Sequence, residues 1–348
     1  MVEVWSVGAG GYGADVPSAG SDGGRVERGE HVYGVGTDLG GTKVSAVLVD
    51  PRGEVMESFY RPHDGTASGA LASLAALMTE LVSGSPGPVA AGVAAAGLVN
   101  RTTGELVHSA LLDLRDTPLA ATLSNLVGVD VIVENDANAT LLGIQADANH
   151  GDTAILFALG TGVGGALSVG GKVIEGSSGF AAELGHFPVE RAGLHPCPCG
   201  SSGCLELFAS GTAVAAQART AGLVGKDENT VGADDVVEAA RAGDPAAVHI
   251  LRSAGEAIGT VVTRLIPAFD PAVVYLSGGF GHHAADFLVP VITERVSEQF
   301  SFPQARPAPQ ILADPVGPLA AAIGVGRLAQ RRCITLPTQV PERDTHDH

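Results

Sequence analysis

Apolar residues along the chain form short strand-like runs that alternate with longer runs at helical spacing. Two β-rich runs come first, at 31–37 and 43–50, and the glycine-containing segment 39–42 between them predicts a hairpin. Helical spacing predicts helices at 67–83, 119–126, 137–148, 211–222, 233–242, 245–267 and 317–331. Shorter apolar runs predict strands at 88–99, 129–133, 153–159, 166–169 and 273–277. This mixture predicts an α/β protein.

The order of strand, glycine turn and strand occurs twice, at 32–50 and again at 153–169. This repetition predicts two related lobes rather than one continuous sheet. We expect an unstructured Gly-rich lead, a small lobe, a large lobe and a polar tail, at 1–31, 32–135, 136–316 and 332–348. The C-terminal helix predicted at 317–331 is expected to join the small lobe.

Composition and charge exclude several classes of protein. Acidic residues outnumber basic ones by 38 to 20, for a net charge of −18. This balance argues against a nucleic-acid partner, because such binding depends on Lys and Arg. No apolar run reaches the ~20 residues that span a bilayer, so we expect no membrane partner. The N-terminal segment lacks the pattern of a signal peptide, which predicts a cytoplasmic protein.

Three of the 4 cysteines lie close together, at Cys197, Cys199 and Cys204. His186, upstream of them, can supply a fourth ligand. A Cys₃His set binds Zn²⁺ tetrahedrally and leaves no open coordination position. The sequence therefore predicts a structural zinc-binding loop over 186–206. The alternative is three buried thiols in a glycine-rich loop.

Two glycine-rich turns have the composition of phosphate-binding loops. Glycines let backbone N–H groups approach phosphate oxygens, and a neighbouring carboxylate is explained if it holds Mg²⁺ through water. The second turn lacks the Lys-Ser/Thr pair of a Walker loop. A plain hairpin is the alternative for the first turn. The candidate phosphate-binding residues are Asp38, Gly40, Gly41, Thr42, Lys43, Gly160, Thr161 and Gly162.

Four polar residues cluster where a predicted buried strand meets a helix, in the sequence Glu134-Asn135-Asp136-Ala137-Asn138. Helix capping explains one of them, Asp136 or Asn135. Four polar side chains exceed what a cap needs, so we predict a functional role. Phosphoryl transfer uses an aspartate near the substrate hydroxyl to orient and deprotonate the nucleophile.

In chain order, these motifs resemble those of the ROK family, which comprises bacterial sugar kinases, such as glucokinases, and sugar-responsive repressors. The resembling elements are Asp38-x-Gly-Gly-Thr-Lys43, Glu134-Asn-Asp-Ala-Asn138, Leu159-Gly-Thr-Gly-Val-Gly-Gly165, Glu183-x-x-His186 and Cys197-x-Cys-Gly-x-x-Gly-Cys-x-Glu206. The resemblance covers about residues 32–331. It implies a two-lobed, actin-like, hexokinase-type ATPase fold with ATP and sugar in the cleft.

The resemblance also implies roles for individual residues. Asp136 matches the catalytic base, and Gly278 and Gly279 match the turn on the adenosine side. The implied sugar-binding residues are Gly97, Asn135, Asp136, Glu183, His186 and Glu206. His186 matches a residue that both ligates zinc and contacts the sugar. The implied cofactors are ATP, Mg²⁺ and a structural Zn²⁺, and the implied assembly is a homodimer.

Two segments depart from the family pattern. Residues 94–100 read Ala-Ala-Ala-Gly-Leu-Val-Asn where the family usually has Gly-x-Pro-Gly-x-Val-Asp. Residues 110–115 read Ala-Leu-Leu-Asp-Leu-Arg and lack the Asn and Trp usual in family glucokinases. Loss of a sugar-facing Asn removes hydrogen bonds that discriminate hydroxyl patterns. The departures therefore concern the choice of sugar.

The resemblance implies ATP-dependent phosphorylation of a hexose hydroxyl, with glucose as the best single substrate. One alternative is a kinase for an N-acetylated amino sugar or fructose. A second is a non-catalytic, sugar-responsive regulator. The repressors of the family carry a helix-turn-helix domain before the first phosphate loop. The Gly-rich lead is too short for that domain, which disfavours the regulator.

Overall fold

The protein is described by a computed structural model that covers residues 3–4, 32–109, 111–147, 151–189, 195–223, 225, 230–300, 303–304 and 306–335. Its strands are β1 Glu3–Val4, β2 Tyr33–Leu39, β3 Lys43–Val49, β4 Val55–Pro62, β5 Val89–Ala95, β6 Leu98–Asn100, β7 Glu105–Ser109, β8 Leu114–Thr117, β9 Val131–Asn135, β10 Ala154–Leu159, β11 Val163–Val169, β12 Lys172–Val173, β13 Val273–Ser277 and β14 Gln310–Ala313. Its α-helices are α1 Ala67–Gly84, α2 Leu119–Val127, α3 Asp136–Asp147, α4 Glu206–Ala209, α5 Gly211–Thr220, α6 Ala233–Arg241, α7 Pro245–Phe269, α8 Gly279–His283, α9 Ala285–Gln299 and α10 Ala320–Thr335.

The first sheet has six strands in the order β1-β4-β3-β2-β5-β9. Strands β2, β3 and β4 pair antiparallel, whereas β2, β5 and β9 run parallel. Apolar residues of α1 and α2, including Leu74 and Leu123, cover one face. The other face is covered by α10, through residues such as Ala322 and Val325. The first sheet is therefore enclosed by helices on both sides.

The second sheet has five strands in the order β12-β11-β10-β13-β14. Strands β10, β13 and β14 run parallel, and β10, β11 and β12 pair antiparallel. One face packs against α5, α7 and α9, and the other against Leu141 and Ile144 of α3. A separate small sheet contains β6, β7 and β8.

Helices α3 and α10 pack against each other and so join the two sheets. Glycines permit this close approach. A Cβ on Gly143 would lie 2.0 Å from the Ala320 carbonyl oxygen, and a Cβ on Gly324 would lie 1.9 Å from that of Ala139. Any larger residue at these glycines would force the helices apart.

Several predicted boundaries are wrong. The apolar run at 88–99 is not one strand, because Gly97 at φ +129° divides it into β5 and β6. Within the lead, Glu3–Val4 forms an edge strand paired with β4 instead of being unstructured. Helix α10 runs to Thr335, so residues 332–335 belong to it rather than to a polar tail. The predictions for 5–31 and 336–348 fall outside the described residues.

The apolar pattern does not predict β4, β7, β8, β12, β14, α4, α8 or α9. Strand β4 has mostly exposed or half-buried residues, so it lacks a clear alternation. Helix α9 contains Pro290 within it, and a proline within a run ordinarily argues against a helix. These elements are held by their neighbours rather than by a strong local signal.

Within the described part of the chain, α1 is the one helix whose length and composition would suit a membrane span. Its apolar face, with Leu74, Leu77 and Met78, is buried in the core beneath the first sheet. These contacts are typical of a core helix.

Candidate active site and metal centre

Three parallel strands of the first sheet end at one edge and bring the first phosphate turn close to the polar cluster. The register pairs Asp38 with Ala94, and Ala94 with Glu134. Adjacent strands lie about 4.8 Å apart, so the ends of β2 and β9 are separated by about 10 Å. The charge of Asp136 contributes to the raised pKa of Asp38. The predicted phosphate-site carboxylate Asp38 and the predicted catalytic base Asp136 therefore lie in one site.

Asp136 is the first residue of α3 and directly follows β9. Its Oδ1 accepts a hydrogen bond of 2.9 Å from the backbone N–H of Ala137. The pKa of Asp136 is raised to about 6, mainly by burial; the hydrogen bond from Ala137 works against this rise, and the charge of Glu183 contributes to it. A carboxyl group with a pKa close to the working pH is suited to act as a general base.

Asp38, near the end of β2, is partly buried. Burial raises its pKa to about 7; the negative charge of Asp136 also raises it, and Lys43 lowers it. The Lys43 ammonium lies 5.1 Å from the centre of the Tyr60 ring. Its position on the hairpin is thus held partly by a cation–π contact.

The first phosphate turn is braced by His63, a residue that sequence reasoning missed. The Nε2 of His63 lies 2.9 Å from the Gly40 carbonyl oxygen, and its backbone N–H donates to the Thr42 carbonyl at 3.1 Å. Since the Gly65 N–H donates to Nδ1 at 3.1 Å, Nε2 carries the proton and donates to Gly40. A single histidine after an unpredicted strand gave no signal in the sequence.

The glycine turns meet at one cleft of about 820 Å³. Gly278, at φ +82°, has no room for a Cβ, which would lie 2.4 Å from the Leu159 carbonyl oxygen. The third turn therefore lies directly beside the second. The cleft is lined by Thr42, Gly160, Thr161, Gly211, Thr212, Ala215, Arg219, Gly232, Ala233, Asp234, Gly279, Phe280 and His283.

The start of α5 supports the second phosphate turn. The Gly211 N–H donates to the Gly160 carbonyl at 2.8 Å, and the Thr212 hydroxyl donates to the Thr161 carbonyl at 2.8 Å. Sequence reasoning missed both supporting residues, because Gly211 and Thr212 lie about fifty positions downstream of the turn.

The residues of the polar cluster 134–138 make different contacts. Asn135 caps α3, since its Oδ1 accepts from the Asn138 N–H at 3.1 Å, and its Nδ2 donates to the Gly97 carbonyl at 3.1 Å. Buried Glu134 accepts from the Asn138 amide at 3.2 Å and pairs with Arg101. Asp136 is the member whose charge interacts with both Glu183 and Asp38.

A small pocket on this side of the site brings together predicted sugar-binding residues from distant parts of the chain. Gly97, Asn135 and Glu183 all line it. Burial raises the pKa of Glu183; His186 lowers it and Glu206 raises it. The preceding residue, Ala182, has φ +65°, a conformation that strains a non-glycine residue and sets the direction of Glu183.

Glu206, the first residue of α4, lies against the second phosphate turn. Its Oε2 accepts from the Val163 N–H at 3.0 Å, and a Cβ on Gly162 would lie 2.5 Å from the same oxygen. Gly162 must therefore be glycine for this contact. Glu206 thus connects the zinc-loop side of the site with the phosphate side.

The four predicted metal ligands converge on one point. Their ligand atoms all lie within 4.8 Å of one another. The Cys199 and Cys204 sulfur atoms are 3.7 Å apart, and the Cys197 sulfur lies 3.8 Å from Nδ1 of His186. Zn–S bonds of about 2.3 Å in a tetrahedron place sulfur atoms about 3.8 Å apart. The donor set and its spacing fit Zn²⁺.

The segment that departs from the family pattern reaches the first phosphate turn. A Cβ on Gly41 would lie 2.8 Å from Cδ1 of Leu111. Leu112 is buried, and Asp113 has φ +50°. Ala110 lies outside the described residues. An apolar side chain therefore lies beside the turn in the segment where family glucokinases usually carry Asn and Trp.

Comparison with known proteins identifies the family. The model of the ROK family matches residues 34–332. A glucokinase of Streptomyces coelicolor is 32% identical over 311 residues, which cover 85% of this chain and 97% of the relative. A ROK family glucokinase of Streptomyces griseus, solved in complex with glucose and AMPPNP, is 32% identical with a TM-score of 0.74, covering 86% of this chain and 99% of that one. A xylose repressor of Bacillus subtilis is 25% identical over 85% of this chain and 76% of its own length.

These similarities confirm the predicted fold class, a mixed α/β fold of the hexokinase type. They also show that the relatives include both kinases and repressors. The chain belongs to the ROK family.

Proposed function

We propose that this protein transfers the γ-phosphoryl group of ATP to glucose and forms glucose 6-phosphate, the entry step of glycolysis. The observation that carries the proposal is the meeting of Asp38, Asp136 and the glycine turns at one site beside a cleft large enough for a nucleotide. The glucokinase relatives, one of them solved with glucose and AMPPNP, support the choice of substrates.

Asp136 acts as the general base in this mechanism. A bond forms between the sugar hydroxyl oxygen and the γ-phosphorus, the bond between that phosphorus and the β–γ bridging oxygen breaks, and the Asp136 carboxylate takes the hydroxyl proton. Its position at the start of α3 favours the ionised form, which the reaction needs. Glu183, His186, Glu206 and Asn135 are proposed to orient the sugar by hydrogen bonds to its hydroxyl groups.

The glycine turns are proposed to hold the phosphates. The N–H groups of Gly40 and Gly160 donate to the Lys43 and Gly162 carbonyls and close the two turns. Other backbone N–H groups of residues 40–43 and 160–162 are proposed to face the triphosphate, with Gly278 and Gly279 on the adenosine side. When bound, Mg²⁺ would neutralise phosphate charge, and Asp38 is the residue that would hold it through water. This role explains why a carboxylate is tolerated in a phosphate site.

The zinc centre is proposed to shape the sugar site without taking part in the chemistry. His186 faces the sulfur cluster through Nδ1, which directs Nε2 to the other side of the ring, toward the sugar. The backbone pairing of Leu205 N–H with the Phe187 carbonyl, at 3.0 Å, ties this histidine's segment to Glu206. Zn²⁺ would thus hold His186 and Glu206 in a common orientation.

The first experiment measures phosphate transfer from ATP to a panel of hexoses by the zinc-loaded protein. We expect turnover with glucose, and Asp136→Asn should abolish it while glucose binding persists. Asp130→Asn, which changes an exposed aspartate at the start of the same strand region, serves as the matched control. Absence of transfer to any hexose, or full activity of Asp136→Asn, would contradict the proposal.

A second candidate substrate is an N-acetylated amino sugar or fructose. It is motivated by Leu111, Leu112 and Leu114, which replace the usual polar segment with apolar side chains. Competing kcat/KM values for glucose, N-acetylglucosamine, N-acetylmannosamine and fructose decide between these sugars. A higher value for one of the other three would replace glucose as the substrate.

A sugar-responsive regulator is the candidate from a different class, since a xylose repressor is among the relatives. Asp38, Asp136 and both glycine turns are present in this chain. A regulator that transfers no phosphoryl group does not need them, so their presence argues against this candidate. DNA binding in a gel shift, together with absent kinase activity, would favour the regulator.

We further propose that the chain is a cytoplasmic homodimer that binds neither nucleic acid nor membrane. The proposed small lobe is 32–135 with the C-terminal helix, and the proposed large lobe is 136–316. The two separate sheets, each with its own apolar core, support this division.

A further inference from the structure

Arg101 occupies an unusual position for a charged residue that the proposed mechanism does not use. It follows β6, and its side chain is only 9% exposed. Its Nη2 lies 2.5 Å from Oε2 of Glu134, which is fully buried at the end of β9. Its other terminal nitrogen pairs with Glu175, which is 48% exposed. One guanidinium therefore pairs with two carboxylates: Glu134 in β9 of the first sheet, and Glu175, which follows β12 of the second sheet.

Both carboxylates are placed where they can affect the sugar site. Glu134, in β9, lies two positions before Asp136, the first residue of α3. Glu175 begins the segment 175–183, here called the sugar loop, which ends at Glu183. The Ala181 N–H donates to the Glu175 carbonyl at 3.1 Å and closes this loop on itself. Movement of Glu175 would therefore carry the sugar loop with it.

The sugar loop and β6 form opposite walls of the small pocket. Leu98 and Val99 line one side, and Phe180 and Glu183 line the other. A Cβ on Gly179 would lie 3.2 Å from the Val99 carbonyl oxygen, so the two walls are in close contact. Arg101, just beyond β6, is the charged connection between these walls and β9, here called the catalytic strand because Asp136 directly follows it.

Stability alone explains this arrangement poorly. Burying a guanidinium and a carboxylate is expensive, and a hydrophobic replacement of a buried ion pair is often neutral or stabilising. Among the described residues, no hydrogen-bond partner is found for Nε and Nη1 of Arg101 or for Oε2 of Glu134, so the two ion pairs depend on the proximity of the charges. Burial also works against the charged state of both partners, lowering the pKa of Arg101 and raising that of Glu134. A positional role accounts for retaining such a costly pair.

We propose that Arg101 is a positioning residue of the sugar site, which holds the sugar loop against the catalytic strand so that Glu183 and Asp136 face the same sugar. This inference rests on the proposed hexose kinase function. It predicts that the connection to Glu175 affects sugar affinity and leaves nucleotide affinity unchanged, because the nucleotide cleft is lined by other elements.

Glu175→Gln tests the connection without disturbing the buried pair. We expect the Kd for glucose, measured by titration calorimetry, to rise about fivefold to tenfold, a typical coupling between sites. The KM for ATP and the Tm should stay unchanged. Glu57→Gln, at another exposed glutamate, is the matched control and should leave all three values unchanged.

The double variant Arg101→Met/Glu134→Gln separates positioning from stability. It removes both buried charges together, so the Tm should recover relative to Arg101→Met alone. The Kd for glucose should nevertheless remain raised, because nothing then holds Glu175. Recovery of both the Tm and the glucose affinity would overturn the proposal and leave Arg101 with a structural role only.

The outcomes also distinguish this inference from the proposed function. If the wild type binds no hexose of the panel, the proposed function fails. If the wild type binds glucose and Glu175→Gln binds it equally well, the positioning role of Arg101 fails while the proposed function stands. Should the double variant not fold, the Glu175→Gln result still decides.

Discussion

At the scale of single residues, the most consequential property is the raised pKa of Asp136. A general base must be ionised, and burial places the pKa of this carboxyl at about 6. We therefore expect kcat/KM for glucose to be constant at high pH and to fall about tenfold per unit below pH 6. A pH profile from 4.5 to 8 checks this, with stability followed in parallel. A profile flat down to pH 4.5 would rule out Asp136 as the base.

Asp38 carries a second prediction, about stability. Its folded-state pKa of about 7 exceeds the ordinary 3.8, so the folded protein binds more protons than the unfolded chain between these values. The free energy of unfolding from this group therefore falls as the pH rises through that window. We expect Asp38→Asn to raise the Tm at pH 8 by about 2 to 5 °C, after allowance for partial exposure.

The Tm gain of Asp38→Asn should disappear below about pH 4, where the carboxyl is protonated in both states. Phosphoryl transfer should fall at the same time, since the asparagine is neutral and supports Mg²⁺ poorly. Thermal unfolding without nucleotide at pH 4 and pH 8 provides the measurement. A lower Tm at pH 8 would show that Asp38 stabilises the fold.

At the scale of elements, the first phosphate turn depends on the strand that follows it. His63, just after β4, fixes the carbonyls of Gly40 and Thr42. His63→Leu removes the side-chain hydrogen bond, and we expect the KM for ATP to rise about fivefold, which corresponds to about 1 kcal/mol. His63→Gln keeps a donor and should recover much of this loss. Steady-state kinetics with each substrate varied measures the effect, and a matching rise in the KM for glucose would argue for a general disturbance.

The proposed role of the zinc loop leads to a prediction about the sugar side of the site. Removal of the metal frees His186 and the segment leading to Glu206, so the KM for glucose should rise about tenfold or more while the KM for ATP changes little. Metal analysis must show that the protein is zinc-free, and re-addition of Zn²⁺ should restore affinity. Unchanged kinetics in metal-free protein would contradict the proposed role.

The sequence predicted those parts of the site that depend on residue type at short spacing. The Cys₃His set and the Glu134–Asn138 cluster each fall within one short segment or its near neighbourhood, so composition alone marks them. Arg101 and His63 could not be found in this way. Each is a single charged or polar residue in a loop, and its importance comes from partners that the fold brings near.

The fold was predictable where apolar residues are periodic and uninterrupted, as in the long α7. It was not predictable where tertiary contacts replace that signal. Strand β4 is bordered by other strands although most of its residues are exposed or half-buried. Gly97, at φ +129°, lies between β5 and β6, and a Cβ there would lie 2.2 Å from the His108 carbonyl oxygen. No local sequence pattern indicates this close approach.

At the scale of the whole molecule, α10 has a consequence for synthesis. Strand β2 begins at Tyr33, whereas the helix that covers one face of its sheet begins at Ala320. On the ribosome, all strands of the first sheet are therefore translated long before this cover. Until α10 is made, Val47, Val49 and Ala94 lack the contacts with it that bury them in the folded protein. Transient exposure of such a face invites misassociation, which makes this nascent sheet a natural client for a chaperone.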